Sequence, residues 1–227
     1  MAESEIKSIG IIMDGNRRWA KERGFFAWQG HEEGYKKLRE VLNWCKEKNI
    51  MNVFLYAFST ENWNRAEEEV LKMMDLLRKA LGNEIDSLKN EKVRVKVAGD
   101  VSRFPEDIQR GIKKLEEETK DFTEGNLILC LSYGGRAEIL NAVNRITKDG
   151  KKDISEEDFE KYLWTAGAPD PDIIIRTSGE KRLSGFLPWQ SVYSELFFVD
   201  TYWPAFSKEE FEAILEEYKE RERRNGK

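Results

Sequence analysis

The sequence has few residues of the kinds on which many functional sites depend. It contains a single histidine, His31, so a multi-histidine zinc site is excluded and a Ser-His-Asp triad would have only one candidate base. Its two cysteines, Cys45 and Cys130, lie far apart and in no metal-ligand spacing, which indicates buried thiols in a reduced, cytoplasmic protein. No G-x-x-x-x-G-K-[S/T] or G-x-G-x-x-G motif follows a strand-like run, so a nucleotide-binding phosphotransferase lacks support.

An excess of positive charge and a long apolar run are also missing. The formal net charge of −5 at pH 7 argues against a non-specific nucleic-acid binder, which normally carries a basic excess. The N-terminal "MAESEIKS" has no apolar signal region, and no stretch approaches the ~20 apolar residues of a membrane span. We therefore expect a soluble, cytoplasmic protein with no nucleic-acid partner.

The residues that are present are typical of a folded α/β protein. The 227 residues, 40% of them hydrophobic, suffice for one large domain over 1–227. Strand-like apolar runs occupy 8–13, 51–58, 93–99, 127–133, 172–177 and 195–199, and helical patterns occupy 31–48, 67–89, 105–121, 135–148, 156–164 and 207–222. This alternation predicts an α/β, single-domain fold with a mainly parallel six-stranded sheet flanked by helices.

Arginines cluster directly after these predicted strands. The loops that follow them contain Arg17, Arg18, Arg65, Arg136 and Arg182, and Arg176 lies at the end of a strand. Ligands gather at the carboxyl ends of parallel strands, and the planar guanidinium group binds phosphate oxygens in pairs. The set therefore predicts a phosphate-bearing ligand. The alternative is that these arginines only solvate the tips of loops. That explanation is reasonable for any single arginine but much less so for the whole cluster.

An aspartate ends the first strand-like run, in "IGIIMDGNRRWA" at residues 9–20. In a site that binds only an anion, an acid beside Arg17 and Arg18 would repel the ligand. The pairing is understandable if a metal ion lies between Asp14 and a phosphate, because carboxylate and phosphate oxygens can bind the same cation. A second role open to Asp14, compatible with the first, is the N-cap of the following helix.

Five motifs follow one another along the chain: "MDGNRRWA", "GHEEG", "YAFSTENWNR", "YGGR" and "IIIRTSGEKRLSGFLPWQSVYSELFF". They extend from about Ile9 to the C-terminal "RERRNG" and in this order resemble the cis-prenyltransferases, the undecaprenyl and polyprenyl diphosphate synthases. The "DGNRRWA" variant is similar to the archaeal and eukaryotic branches of that family. Ala27 stands where the family often has a phosphate-binding arginine before "GH", and Gly185 and Pro188 stand where asparagine and leucine are usual.

The resemblance implies a transferase that sequentially condenses isopentenyl diphosphate onto an allylic diphosphate primer, farnesyl or geranylgeranyl diphosphate. The new double bonds would be cis, and the product a long-chain polyprenyl diphosphate that serves as a lipid-carrier precursor. The resemblance also implies Mg²⁺ as cofactor, an apolar tunnel for the growing chain, a homodimer, and peripheral membrane contact through the lipid product. The Asp-Asp-x-x-Asp motif by which trans-prenyltransferases hold their metals is absent from the sequence.

The resemblance further implies roles for individual residues. The catalytic residues are Asp14, which would place Mg²⁺ on the diphosphate, and Asn62, which would relay the C2 proton; the metal-site acids are Asp14 and Glu195. The substrate-binding residues are Gly15, Asn16, Arg17, Arg18, Trp19, Arg23, His31, Ser59, Thr60, Glu61, Trp63, Arg65, Arg176, Arg182, Leu183, Ser184, Arg224 and Gly226. In homodimeric members, the tail matched by Arg224 and Gly226 closes the isopentenyl diphosphate site of the partner subunit.

Three alternatives stay open at this point. A non-catalytic subunit of the same fold would be expected to lose the aspartate and the phosphate arginines, whereas this chain keeps Asp14, Asn62 and Arg176. The apolar face of the helical segment 67–89 is either ordinary core or part of the prenyl tunnel, together with Ala57 and Phe58. The C-terminal "ERERRNGK" could likewise be only a frayed, charged helix end.

Overall fold

A computed structural model describes residues 6–83 and 85–221 of the chain. Its strands are β1 (Ser8–Ile12), β2 (Asn52–Ser59), β3 (Val93–Ala98), β4 (Gly125–Tyr133), β5 (Ile173–Arg176) and β6 (Glu195–Phe198). They form one six-stranded sheet in the order β3-β4-β2-β1-β5-β6. The pairs β1–β5, β5–β6 and β3–β4 are parallel. The predicted α/β fold with a mainly parallel sheet is therefore confirmed.

The helices lie between the strands, as the alternating pattern predicted. They are α1 (Asn16–Glu22), α2 (Ala27–Glu47), α3 (Glu67–Asn83), α4 (Ile85–Asn90), α5 (Glu106–Thr119), α6 (Gly135–Lys148), α7 (Glu156–Glu160) and α8 (Lys208–Glu220). Short 3₁₀ helices cover Thr60–Asn64, Val101–Arg103 and Trp203–Ala205. Ser155 caps α7 by accepting a hydrogen bond from the Asp158 N–H, but α7 ends at Glu160 instead of at residue 164.

The chain divides into two compact units. The first unit contains the chain up to Phe54, Asp170–Leu183 and the chain from Gln190 onward, and the second unit contains Leu55–Pro169 and Ser184–Trp189. The strand β2 contributes residues 52–54 to the first unit and residues 55–59 to the second. One catalytic domain over 1–227, and an apolar tunnel within it, stay predictions.

The core of the first unit explains why β1 and β5 are rich in isoleucine. Ile9 and Ile11 on β1, and Ile173, Ile174 and Ile175 on β5, are all at most 1% exposed. Because neighbouring residues of a strand point to opposite faces, β5 is covered on both of its faces. In the β1–β5 register, Ile9 lies opposite Ile173 and Ile12 lies opposite Arg176. This register brings the carboxyl ends of the two strands side by side.

In the second unit, helix α5 covers the edge strand β3. The Val95 N–H donates to Thr119 Oγ1 at 3.0 Å and the Val97 N–H donates to Glu116 Oε1 at 2.8 Å. Side chains of α5 thereby satisfy outward-facing backbone donors of β3, which blocks the pairing of this edge with another strand. Within the residues that the structure describes, none of the helices has the length and apolar character needed to span a bilayer.

Candidate functional site

The centre of the candidate site is an ion pair at the carboxyl ends of β1 and β5. Asp14 follows the end of β1 by two residues, and Arg176 is the last residue of β5. The Arg176 Nη2 atom lies 2.8 Å from Asp14 Oδ2. Arg176 is only 4% exposed, and its Nη1 atom donates to the Arg182 carbonyl oxygen. A buried guanidinium group thus fixes both the acid and the loop that bears Arg182.

The backbone of Asp14 is held as firmly as its side chain. Its carbonyl oxygen accepts hydrogen bonds from Thr177 Oγ1 at 2.6 Å and from the Trp203 N–H at 3.0 Å. Its own N–H donates to the Ile12 carbonyl oxygen at 2.9 Å. Because Thr177 and Trp203 come from distant parts of the chain, the position of Asp14 depends on the folded unit and not on the local turn alone.

The helix that follows is capped by Gly15, so the predicted N-cap role of Asp14 is wrong. Gly15 has φ +101°, a backbone conformation that glycine adopts without steric cost. Its N–H donates to Asp14 Oδ1 at 2.7 Å. A Cβ atom at this position would lie 2.7 Å from Tyr202 Cδ1 and 2.9 Å from Ser178 Cβ. The turn therefore requires glycine both for its conformation and for the close packing around it.

These contacts keep Asp14 ionised. Burial favours the neutral carboxyl, but hydrogen bonds and the positive charge from Arg176, with further hydrogen bonds from the Gly15 N–H and the Ser178 hydroxyl, outweigh it and lower the pKa of Asp14. The side chain of Asp14 remains 30% exposed. The site therefore presents a partly accessible carboxylate surrounded by cationic and hydrogen-bonding groups.

Arg18 lies beside this ion pair, in the first turns of α1. Its Nη2 atom donates to Ser178 Oγ at 2.5 Å and lies 3.5 Å from Asp14 Oδ2. Its Nη1 atom is 3.2 Å from Glu180 Oε1, and its guanidinium carbon is 5.6 Å from the centroid of the Tyr202 ring. Sequence reasoning did not single out Ser178, Glu180 or Tyr202. Their link to Arg18 spans about 160 residues or more of chain, which local patterns do not reveal.

The packing of α1 against α2 explains the glycines of the "GHEEG" motif. A Cβ atom at Gly30 would lie 2.1 Å from the Asn16 carbonyl oxygen, and one at Gly34 would lie 2.1 Å from Asn16 Oδ1. The Asn16 Nδ2 atom donates to the Met13 carbonyl oxygen at 2.9 Å, and Oδ1 is buried with no hydrogen-bond partner in the part of the chain that the structure describes. The side chain of Asn16 is thus enclosed between the helices. His31 follows Gly30 on α2 and is half-buried.

The other predicted contacts from this region lie near the surface. The guanidinium carbon of Arg23 is 4.4 Å from the centroid of the Trp19 ring, and Trp19 lies 6.1 Å from the ring of Phe25. Arg17 is exposed. Arg182 forms an ion pair with Glu180 and its side chain is 60% exposed.

The second unit contains the predicted residues 59–65, which begin with the last residue of β2 and continue through the 3₁₀ helix after it. The Ser59 N–H donates to Asn62 Oδ1 at 2.9 Å, so the amide of Asn62 is fixed at the start of the 3₁₀ helix. Trp63 Nε1 donates to Ser132 Oγ at 3.0 Å, and the Trp63 ring packs on Phe58. Arg65 forms an ion pair with Glu69 at 2.7 Å. Thr60 is half-buried and Glu61 is exposed.

Ser184 begins a loop that is fixed to the turn after β4. Ser184 has φ +50°, and its carbonyl oxygen accepts a hydrogen bond from Tyr56 Oη at 3.2 Å. The Gly135 N–H donates to the Gly185 carbonyl oxygen at 2.8 Å. A Cβ atom at Gly135 would lie 2.0 Å from Pro188 Cδ. The "YGGR" motif is therefore needed for close packing of this loop, which the sequence did not reveal. Leu183, the residue before the loop, is half-buried.

The two predicted metal-site acids lie at opposite ends of the strands of the first unit. Glu195 opens β6 and is paired in register with Ile173 at the start of β5, whereas Asp14 lies beyond the end of β1. From the level of Ile173 to the end of β1 the strand rises by three residues, which already separates the two acids by about 10 Å along the strands. Glu195 Oε2 is 2.6 Å from Arg221 Nη1. Among the described residues, no group of three or more His, Cys, Asp or Glu side chains could hold a metal ion. The predicted residues Arg224 and Gly226 lie outside the described residues.

Known proteins resemble this chain along nearly its whole length. A family model, Prenyltransf, which represents undecaprenyl diphosphate synthase, matches residues 12–226. The chain is 50% identical to an isoprenyl transferase of Fusobacterium nucleatum, with 97% of this chain and 95% of the relative covered. It is 45% identical to a tritrans,polycis-undecaprenyl-diphosphate synthase (geranylgeranyl-diphosphate specific) of Methanopyrus kandleri, over 96% of this chain and 84% of the relative. Lavandulyl diphosphate synthase from Lavandula x intermedia, solved with dimethylallyl diphosphate, has a TM-score of 0.93 and 31% identity, over 98% of this chain and 99% of that one.

Proposed function

The chain belongs to the undecaprenyl diphosphate synthase family of cis-prenyltransferases, and from this premise we propose that it condenses isopentenyl diphosphate repeatedly onto an allylic diphosphate. Diphosphate leaves from the allylic C1, the C4 carbon of isopentenyl diphosphate attacks, and loss of a C2 proton gives a cis double bond. The observation that carries the proposal is the Asp14 carboxylate held between Arg176 and Arg18. An acid among arginines suits a site that binds both a cation and a diphosphate.

The donor chemistry around Asp14 fits Mg²⁺. This ion is usually held by one or two carboxylates together with substrate phosphates, so one partly exposed carboxylate next to a diphosphate site is a sufficient protein contribution. When bound, Mg²⁺ would neutralise the charge that develops on the departing diphosphate. Asp14 is the residue that would hold it. Arg176, through its 2.8 Å contact, keeps the carboxylate turned toward the ends of the strands.

The arginines would bind and orient the diphosphate groups. Arg18 and Arg182 are 43% and 60% exposed at their side chains, so ligand oxygens can reach them, and guanidinium groups bind such oxygens in pairs. Asn62 would orient the isopentenyl C2 centre. Because an amide is a weak base, the C2 proton would pass to water or to the diphosphate. The further proposed substrate contacts are Gly15, Asn16, Arg17, Trp19, Arg23, His31, Ser59, Thr60, Glu61, Trp63, Arg65, Arg176, Leu183 and Ser184.

The primer is geranylgeranyl or farnesyl diphosphate under this proposal, and the product is a long-chain polyprenyl diphosphate, a precursor of a lipid carrier. The name of the Methanopyrus relative supports geranylgeranyl diphosphate. The purified protein is tested with radiolabelled isopentenyl diphosphate, Mg²⁺ and each primer in turn. Butanol-extractable label that requires a primer supports the proposal, and chromatography gives the chain lengths. Asp14→Ala is the inactive control, and Asp153→Ala, at an exposed aspartate in the α6–α7 connection, is its matched control. Absence of product with every allylic primer would reject the proposal.

We further propose a cytoplasmic C₂ homodimer that contacts the membrane peripherally through its lipid product. Arg224 and Gly226 of one subunit would complete the isopentenyl diphosphate site of the other. The test mixes an Asp14→Ala chain with an Arg224→Ala chain, each nearly inactive alone. After subunit exchange is verified, random pairing makes about half of the dimers mixed, with one complete site each, so about a quarter of wild-type activity should return. No recovery after exchange would show that the tail acts within its own chain.

A further inference from the structure

Ser178 has an unusual backbone conformation at the edge of the candidate site. It follows β5 by two residues and has φ +80°, a backbone conformation that residues other than glycine rarely adopt. Its N–H donates to the Thr201 carbonyl oxygen at 2.8 Å, and the next N–H, of Gly179, donates to Val199 at the same distance. Such a conformation persists only where the surrounding structure enforces it, and it is concentrated at functional sites.

Ser178 holds Arg18 beside Asp14 through two of its oxygen atoms. Its Oγ atom accepts a hydrogen bond from Arg18 Nη2 at 2.5 Å. Its carbonyl oxygen accepts from Arg18 Nη1 at 3.3 Å. A hydroxyl group has one hydrogen and two lone pairs, so while it accepts a hydrogen bond from the arginine it can still donate one of its own. Both terminal nitrogen atoms of the Arg18 guanidinium group therefore donate to Ser178.

The contact with Ser178 keeps the Arg18 guanidinium group near the Asp14 carboxylate without a short hydrogen bond between them. Arg18 Nη2 is 3.5 Å from Asp14 Oδ2, whereas Arg176 Nη2 is 2.8 Å from the same oxygen. A guanidinium group next to a carboxylate favours two parallel, short hydrogen bonds. Without the hydroxyl, Arg18 could close onto Asp14 or shift further onto Glu180, with which its Nη1 atom already forms an ion pair at 3.2 Å. Either closure would direct its N–H groups away from a ligand.

We propose that Ser178 is a positioning residue for diphosphate binding: its hydroxyl and carbonyl oxygens hold Arg18 apart from Asp14, in an orientation in which it can bind a diphosphate oxygen. The proposal rests on the proposed function in so far as Arg18 is taken as a diphosphate ligand. It assigns no direct contact between Ser178 and the substrate. The effect of Ser178 on binding must therefore pass through Arg18, and this requirement makes the proposal testable.

Two substitutions separate the hydroxyl from the backbone. Ser178→Gly removes the hydroxyl and relieves the positive φ, whereas Ser178→Ala removes the hydroxyl and keeps the Cβ atom. Asn49→Gly is the matched control, because Asn49 also has a positive φ, of 57°, and lies in the α2–β2 turn away from this cluster. Binding of inorganic diphosphate and of geranylgeranyl diphosphate is measured by calorimetry in EDTA, so that neither metal nor turnover contributes. Thermal unfolding of each variant is recorded in parallel.

We expect Ser178→Gly and Ser178→Ala each to weaken binding of both ligands by about tenfold, the order expected for one charge-assisted hydrogen bond. The control should bind like wild type. The allylic KM should rise more than kcat falls. In an Arg18→Ala background, adding Ser178→Gly should change binding less than twofold, because the residue through which Ser178 acts is already gone.

Three results would overturn the proposal. Wild-type binding in both Ser178 variants would show that the hydroxyl is not needed. Weak binding in Ser178→Ala but not in Ser178→Gly would assign the effect to backbone strain. A full tenfold loss on top of Arg18→Ala would mean that Ser178 acts independently of Arg18. Failure of the proposed function is a different result, since it would appear as absence of radiolabelled product from the wild-type protein whatever the diphosphate affinity.

Discussion

Asp14→Asn removes the charge of the candidate catalytic acid and nearly preserves its shape. The change leaves the Arg176 side chain, which is only 5% exposed, without the carboxylate 2.8 Å away. Breaking a fully buried ion pair costs about 3–5 kcal/mol. The side chain of Asp14 is 30% exposed, and an amide oxygen can still accept from the Gly15 N–H. We therefore expect the free energy of unfolding to fall by about 1–2 kcal/mol, which leaves a folded enzyme for study.

Turnover and metal-free binding should change in opposite directions in this variant. We expect kcat to fall by about 10²–10³, as it does when a major electrostatic stabiliser is removed. Diphosphate, by contrast, should bind more tightly without metal, because a repelling carboxylate is gone and Arg18 and Arg176 remain. One charge at about 6–8 Å contributes roughly 0.5–3 kcal/mol between the effective dielectrics of protein and water. Salt screening favours the lower end, so binding should tighten by about three- to tenfold.

The assay compares wild type, Asp14→Asn and the control Asp153→Ala in two experiments. Single-turnover incorporation of radiolabelled isopentenyl diphosphate at saturating Mg²⁺ measures the chemical step. Calorimetry with geranylgeranyl diphosphate in EDTA measures metal-free binding. A turnover rate within tenfold of wild type would show that Asp14 does not support the departing diphosphate. Metal-free binding weakened by tenfold would show instead that Asp14 mainly organises the arginines, and the reasoning above would fail.

Three further predictions concern acid stability, the prenyl path and helix packing. The folded-state pKa of Asp14 lies below its ordinary value of 3.8. The difference in free energy of unfolding between wild type and Asp14→Asn should therefore be largest above pH 3.8. It should be lost as the pH falls through the lower folded-state pKa, and urea titrations between about pH 2 and 7 measure this. Ala57→Leu, at the half-buried end of β2, should shorten the product while the first condensation stays comparatively fast; an unchanged product distribution in a folded variant would assign Ala57 to ordinary core. Gly30→Ala should lower the unfolding free energy by about 1–3 kcal/mol, because the new Cβ atom would lie 2.1 Å from the Asn16 carbonyl oxygen. Gly82→Ala, with no atom within 4 Å, should instead raise it slightly when both are measured by thermal unfolding.

The strands were predictable because their composition depends on burial that the sequence itself records. The run of Ile173, Ile174 and Ile175 is unbroken by polar residues, and the structure buries all three. The ends of the strands were predictable from the change from apolar to polar residues, even where the polar residue is itself buried, as Arg176 is. This placed Asp14 and Arg176 at strand ends, and the parallel register then brought them together.

The local geometry of the site was not predictable, because it depends on contacts between distant segments. Gly15 and not Asp14 caps α1, and the residues that pack against Gly15, Ser178 and Tyr202, come from the far part of the chain. The left-handed conformation of Ser178 is accompanied by a hydrogen bond from its N–H to the Thr201 carbonyl oxygen, a contact with a distant segment that a serine at position 178 does not by itself reveal. Pattern reasoning identifies which residues bear the chemistry, but it does not give the contacts that orient them.

The separation of Glu195 from Asp14 restricts how Glu195 could take part in the reaction. Within one chain, Glu195 lies at the amino end of β6, about 10 Å or more along the strands from the level of Asp14. Its carboxylate is 2.6 Å from Arg221 Nη1, and Arg221 precedes Arg224 of the proposed tail by three residues. If that tail reaches the other subunit of the proposed homodimer, Glu195 lies at the base of the segment that does so. A catalytic Glu195 should therefore serve the site of the partner.

The subunit-mixing design distinguishes this arrangement from its alternatives. A Glu195→Ala chain, if nearly inactive alone, is mixed with an Asp14→Ala chain. When Glu195 acts in the partner's site, the mixed dimer contains one site with an intact Asp14 from one subunit and an intact Glu195 from the other. About a quarter of wild-type activity should then return, since about half of the dimers are mixed. When both acids act within one chain, neither site of the mixed dimer is complete and no activity returns, which would contradict the separation seen along the strands. Wild-type activity of the Glu195→Ala homodimer would remove Glu195 from the reaction and leave it the role of holding Arg221 in place.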